Sequence, residues 1–251
     1  MDRDRRGEVA GTHGVAVVVV AVVVVGGDAP NGAVPTHLPS PRLTIAADSG
    51  YDHARRLGLD VDVLVGDLDS ISAAGLADAE ARAVAIERHR PDKDQTDTEL
   101  AIACAVDRGA CRIVGVSGGG DRPDHAWSTL LAFAAPTLAG HDVTLWWERA
   151  LVSVVRAGTP LEIEGEIGSV VSLLPVHGDA EGVRTSGLVY PLRGERLPAG
   201  TGRGVSNVVA ASPAEVRLER GTLLVVQPDV LPAAAQPGPS TTTLDPKDPQ
   251  R

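Results

Sequence analysis

Aromatic residues are scarce in this chain: three tryptophans, two tyrosines and one phenylalanine among 251 residues. The apolar share is still 43%. A sizeable core is therefore available, and it must be built almost wholly from valine, alanine and leucine. Two cysteines, Cys104 and Cys111, are too few for a disulfide framework, and no Cys/His pattern with zinc spacing accompanies them. That shortage points to a reducing, cytoplasmic compartment. Positive charge is short as well, with 23 Lys and Arg against 33 Asp and Glu and a net charge of −10. Gripping a phosphate backbone needs a positive surface, so nucleic acid is excluded as the main partner. A small phosphorylated ligand is not excluded, because a bound divalent cation reverses the local sign. The longest apolar run, VAVVVVAVVVV at 15–25, is too short to span a bilayer as a helix. Arg3, Arg5 and Arg6 precede it in the manner of a targeting segment. Its β-branched residues and the GGDAP that follows favour a buried strand instead, and no membrane partner is expected.

What is present is a regular alternation. Apolar strand-like runs fall at 15–25, 42–47, 61–65, 83–87, 111–116 and 142–147, with helix-like Ala/Leu-rich stretches at 50–57, 97–108 and 124–139. Continuous apolar strands alternating with helices predict a mainly parallel sheet covered on both faces, a Rossmann-like α/β domain over 15–150. After about residue 150 the helical periodicity stops. Short runs such as LVSVV, SVVSLLPV, VSNVV and TLLVV, separated by Gly, Pro and polar residues, predict an all-β sandwich over 151–228. Residues 1–14 read as a flexible start. Residues 229–251, rich in Pro, Ser, Thr and Asp, read as a disordered tail.

The acids fall where such a fold places ligands, beyond the carboxyl ends of the strands. Asp28 follows the first run, Asp48 the second, and Asp67 and Asp69 of GDLDS the third; SGGGD at 117–121 follows the fifth. In DKDQTDTEL at 92–100, Thr96 and Glu99 fit a capping box and Asp97 suits the first turn of a helix. Lys93 and Gln95 flank them without a capping role. GGGDRPDH at 118–125 adds Gly119, Arg122, Asp124 and His125; it matches neither dinucleotide nor Walker-type glycine patterns. Like charges about 4 Å apart repel by roughly 4 kcal/mol at an effective dielectric near 20. Asp67, Asp69 and Asp97 on one rim therefore call for a cation. Hard oxygen ligands without a closed cage suit Mg²⁺, which takes substrate phosphates as further ligands. The chemistry best served is phosphoryl or pyrophosphoryl transfer.

With AADSGYDHARRLGLDVDVLVGDLDS, DKDQTDTELA and GGGDRPDH in this order, and SLLPV, GLVYPL and VSNVV in the C-terminal half, the chain resembles the thiamine pyrophosphokinase (thiamine diphosphokinase) family over roughly residues 15–227. The resemblance implies a homodimer that transfers pyrophosphate from ATP to the hydroxyl of thiamine, giving thiamine diphosphate and AMP. Carried over, Asp67, Asp69 and Asp97 hold Mg²⁺. Asp48, Lys93, Gln95 and Thr96 line the nucleotide and phosphate site, and Arg122 and Asp124 complete the rim. Asp48, Asp97 and Asp124 are the candidates to orient the attacking hydroxyl. Ser206 and Asn207 contact thiamine across the dimer interface. Two departures stand out. Ser49 replaces a common glycine. Val170 and Val171 stand where eukaryotic members carry a thiamine-stacking tryptophan, while Trp146 and Trp147 read as core or interface. The rival readings are a pyrophosphokinase for another alcohol such as a pterin, and a nucleotide- or thiamine-binding protein without turnover.

Overall fold

The computed structural model describes residues 19–40, 42–120 and 122–233. The start of the 15–25 run, the flexible start, Asp121 and positions 234–251 lie outside these described residues. Six parallel strands form the first half: β1 (Val19–Val24), β2 (Leu43–Ala47), β3 (Val63–Gly66), β4 (Ala85–Arg88), β5 (Ala110–Ser117) and β6 (Asp142–Trp147). They lie in the order β4-β3-β2-β1-β5-β6. Each of the six overlaps a predicted run; β3 and β4 extend one residue beyond it at one end, and β5 at both. The helices α1 (Gly50–Arg56), α2 (Ala73–Ala81), α3 (Asp97–Asp107) and α4 (Pro123–Phe133) cover the sheet on both sides. The short helix α2 was not among the expected stretches.

The valine run explains why this sheet is buried twice over. Ala21 and Val23 of β1 pack into one apolar cluster with α3 and α4, and Val22 and Val24 pack into another with α1. Branched residues on both faces suit a central parallel strand and no other position. The direction of winding reverses at β1, whose neighbours are β2 and β5. That switch point opens a crevice beyond the strand ends.

The change of pattern near 150 coincides with a change of pairing. A tight turn at Glu148–Arg149, with Glu148 at φ 52°, sends β7 (Ala150–Arg156) back antiparallel to β6. From there β13 (Arg220–Gln227) and the long β9 (Val170–Ser186) extend the same sheet. Around His177–Gly182, where three residues have positive φ, β9 leaves that layer. Its far end pairs instead with β10 (Arg193–Leu197) and β12 (Ala214–Arg217), β8 (Leu161–Ile163) completes this edge, and the two-residue β11 (Asn207–Val208) pairs with the start of β9. A bulge with left-handed residues is the usual way for a strand to turn a corner between layers. A third apolar cluster, including Ile163, Val183, Leu197 and Leu223, fills the space between. The expected α/β and all-β halves are therefore both present, joined by one continuous path of strands.

The first residues of the expected 229–251 tail are docked on the fold. The amides of Val230 and Leu231 both donate to the Arg149 carbonyl at 3.0 Å, and the Leu231 side chain is buried in the cluster that holds Trp146. Asn31 donates to the Pro232 carbonyl at 2.9 Å. Composition misses this because one buried leucine is enough to dock a short segment. We predict that Leu231→Ala costs about 2–5 kcal/mol of stability in denaturant unfolding; an unchanged midpoint would mean the segment is only resting on the surface.

Candidate active site

The carboxyl ends of β1, β2, β3 and β5, with the N-terminal turns of α3 and α4, enclose a cleft of about 650 Å³. Asp28, Asp48, Asp67, Asp69, Lys93, Gln95, Thr96, Asp97, Gly119 and Arg122 all line it, from five separate stretches of sequence.

At its centre Asp48, Asp67 and Asp97 bring one carboxylate oxygen each within 4.8 Å of one another. The backbone arranges this closeness. Gly66 ends β3 at φ 148°, and a Cβ there would stand 3.0 Å from Asp97 Oδ1 and 3.3 Å from Asp48 Cβ. Only a residue without a side chain permits both the conformation and the contact. Asp48 itself has φ 46° and is buried. Its carboxylate accepts from the amides of Ser70 at 3.3 Å and Ile71 at 3.0 Å. Burial raises its proton affinity above the ordinary carboxylate range, against the opposing pull of the Ser70 bonds.

Lys93 is the counter-charge. Its ammonium donates to Asp67 Oδ2 at 2.7 Å and lies 3.0 Å from Asp97 Oδ1. The hydrogen bond from Lys93 holds the Asp67 carboxyl below its usual range. Burial pulls the Lys93 ammonium down, but its bonds to the two aspartates outweigh that and keep it above its ordinary value. One ammonium cannot balance three carboxylates. Asp97 Oδ1 is also buried, and its ion pair with the Lys93 ammonium is the one polar contact it makes among the described residues. A buried carboxylate oxygen that shares its single ammonium with a second aspartate, within a trio of hard ligands, is what a divalent cation would complete. Thr96 and Glu99 form the expected capping box, Thr96 accepting from the Glu99 amide at 3.2 Å and Glu99 from the Thr96 amide at 2.8 Å. This box fixes the turn that aims Asp97 at the cluster.

Other placements differ from the sequence reading. Asp69 lines the cleft but is exposed and not part of the trio; Asp48 takes the third place. Asp124 does not line the cleft. It is exposed and pairs with Arg122 at 2.6 Å, which holds its carboxyl below the usual range. Ser206 and Asn207 lie away from the cleft, on the all-β half. Ser206 is exposed, while Asn207 is buried. The Asn207 carboxamide accepts from the Tyr190 amide at 3.0 Å and the Val208 amide at 2.9 Å, and donates to the Tyr190 carbonyl at 2.8 Å. That set leaves Asn207 committed to holding the Tyr190 segment. His125 lines the cleft, as do Ala126 and, one turn on, Thr129. Trp147 lines it too, whereas Trp146 is buried with its ring 5.1 Å from that of His37.

The family model for the thiamin pyrophosphokinase catalytic domain matches residues 36–144, and that for the thiamin pyrophosphokinase vitamin B1 binding domain matches residues 160–223. The chain belongs to the thiamin pyrophosphokinase family. Thiamine pyrophosphokinase from Bacillus subtilis has a similar structure, with a TM-score of 0.74 at 21% identity, covering 84% of this chain and all of that one (100%). The enzyme from Candida albicans gives 0.70 at 13% identity over 84% and 89% of the two chains, and that from yeast 0.67 at 15% over 86% and 88%. No curated protein matches the chain by sequence. Within this family frame, the geometry separates two roles that one SN motif joins. We predict that Asn207→Ala lowers stability by about 1–3 kcal/mol, because three backbone groups lose their partner. Full thermal stability in that variant would return Asn207 to ligand contact.

Proposed function

We propose that the cleft binds ATP with Mg²⁺ and that the chain works as a thiamine diphosphokinase, transferring pyrophosphate from ATP to the hydroxyl of thiamine and releasing AMP. Membership of the family makes the chain an ATP-dependent pyrophosphokinase. The observation that carries the site assignment is the carboxylate trio that shares one ammonium. A Mg²⁺ ion held by Asp67 and Asp97, with Asp48 as third oxygen, would neutralise charge on the phosphate oxygens and fix their geometry. Asp69, on the rim, is suited to a contact through water rather than a place in the trio.

The remaining residues position the substrates. Lys93, Gln95, Thr96 and Arg122 offer donors to the phosphates. The glycines at 26–27 and 119–120 leave backbone open to close approach. In the transfer, the thiamine oxygen bonds to the β-phosphorus, the bond from that phosphorus to the AMP oxygen breaks, and the hydroxyl proton leaves to an acceptor at the rim. Most of the acceleration comes from alignment and fixed charges rather than from a strong base. The acidic rim also attracts the permanent cation of the thiazolium ring.

Residues 15–150 make the nucleotide-binding unit in this reading, and 151–228 the acceptor-binding unit. The two family matches and the change from parallel to antiparallel pairing support that division. Ser206 does not line the cleft of its own chain, so a homodimer in which a second copy brings it to the acceptor is the arrangement that uses it. Two free cysteines, one buried and one exposed, suit the cytoplasm, and no helix among the described residues is long and apolar enough to cross a membrane.

Thiamine-dependent AMP formation in Mg²⁺ tests the activity; AMP or ADP without thiamine would contradict it. Asp67→Asn should lower the rate about 100-fold or more with the circular-dichroism spectrum unchanged. Asp69→Asn should lower it less. Equal losses would return Asp69 to the cation's inner ligands.

A further inference from the structure

The proposed function places phosphates at one end of the cleft and says nothing of the other. The strand order supplies a direction. Asp48 follows β2, and Trp147 ends β6. Between them run β1 and β5, so the two residues stand three strand spacings apart, about 14 Å at roughly 4.8 Å each. That is the reach of an extended nucleoside triphosphate from its terminal phosphate to its base. The floor between carries four glycines, Gly26, Gly27, Gly119 and Gly120. The turn after β1 meets the turn after β5, with the Asp28 amide donating to the Gly119 carbonyl at 3.4 Å. A Cβ on Gly27 would come within 2.5 Å of that same carbonyl oxygen.

The far wall is of a different kind. Trp147 is partly buried, packed against the cluster that includes Phe133 and Leu145, and it also lines the cleft. Alternation along β6 sends its neighbour Trp146 to the opposite cluster, where His37 and Leu231 cover it. An indole on the wall of a cleft whose other lining is mainly polar or small is a stacking surface, and among the described residues no ring of the protein stacks on it. In a chain with three tryptophans, that placement is informative.

We propose that Trp147 is the base-stacking residue of the nucleotide site, so that ATP lies across the strand ends with its base on β6 and its phosphates at β2 and β3. The proposal rests on the ATP-binding reading above. Stacking accepts any base, so Trp147 sets the position and direction of the nucleotide and does not select adenine over guanine.

The test compares Mg·ATP, Mg·GTP and Mg·tripolyphosphate by titration calorimetry. Trp147→Leu should weaken ATP and GTP binding about 5- to 150-fold and leave tripolyphosphate binding as in the wild type, and Trp147→Phe should restore most of the loss. Unchanged ATP binding overturns the proposal, as does an equal loss for tripolyphosphate. A raised KM for thiamine with ATP binding intact overturns it as well. A second measurement needs no substitution at the wall. In a Trp127→Phe protein, which removes an exposed indole, Mg·ATP should quench the remaining emission and Mg·tripolyphosphate should not. The same response to both ligands counts against stacking. If the wild type binds none of the three, the ATP reading itself fails. If it binds them and the Leu variant does too, only the stacking role fails.

Discussion

Three carboxylates sharing one ammonium is the constraint around which the N-terminal half is organised. Asp48, Asp67 and Asp97 come from three different stretches, and nothing in their mutual charge favours their meeting. Several fixed features hold them. Gly66 removes the side chain that would stand among them. The amides of Ser70 and Ile71 clamp Asp48. The Thr96–Glu99 box sets the first turn of α3. Positive φ at Asp48 adds a cost of about 1–3 kcal/mol that only a rigid surround sustains. Lys93 offsets part of the repulsion through Asp67 and Asp97 and leaves the trio short of positive charge.

The rigid surround is the valine-rich sheet. A core with few aromatics must gain its cohesion from many small, branched contacts, and β-branched residues lose little freedom in strands. Val22 to Val24, Ile45, Leu64 and Ile113 are all at or near zero exposure. The strands therefore end in register at one rim. Their loops carry acids and glycines because a rim has no apolar contacts to satisfy. The few large rings are placed singly: Phe133 at the end of α4, Tyr51 beside Asp78, and Trp146 against His37.

Much of this was legible from residue order. Six parallel strands, three of four helices, the capping box and the set of acids lining the cleft follow from periodicity and from where polar residues interrupt it. Helix α2 was not legible. AAGLADAEA is mostly alanine and acid, with only Gly75 and Ala79 buried, so it shows scarcely any apolar stripe. Strand β10, RGERL, has a single fully buried residue, Leu197, and no alternation to detect. The exchange of Asp48 for Asp69 was hidden because carboxylate direction depends on φ angles that no spacing rule reports. Trp147 was hidden for a related reason. In a WW pair one ring must face each side of the sheet, and the sequence does not say which side is covered to the end of the strand.

The GDLDS turn shows how one residue can separate two acids of the same type. Leu68 sits at φ 66°, a conformation uncommon for a leucine, and its side chain packs against the cluster that holds Leu64 and Ile71. Driving that side chain into the core reverses the chain between Asp67 and Asp69. Asp67 is left inside, beside Lys93, and Asp69 outside, with its amide donating back to Asp67 Oδ1 at 3.2 Å. Two aspartates one residue apart thus sit in different surroundings. The first is held low in proton affinity by an ammonium, and the second meets solvent at the mouth of the cleft. The apolar residue between them, without a polar atom in its side chain, decides which is which.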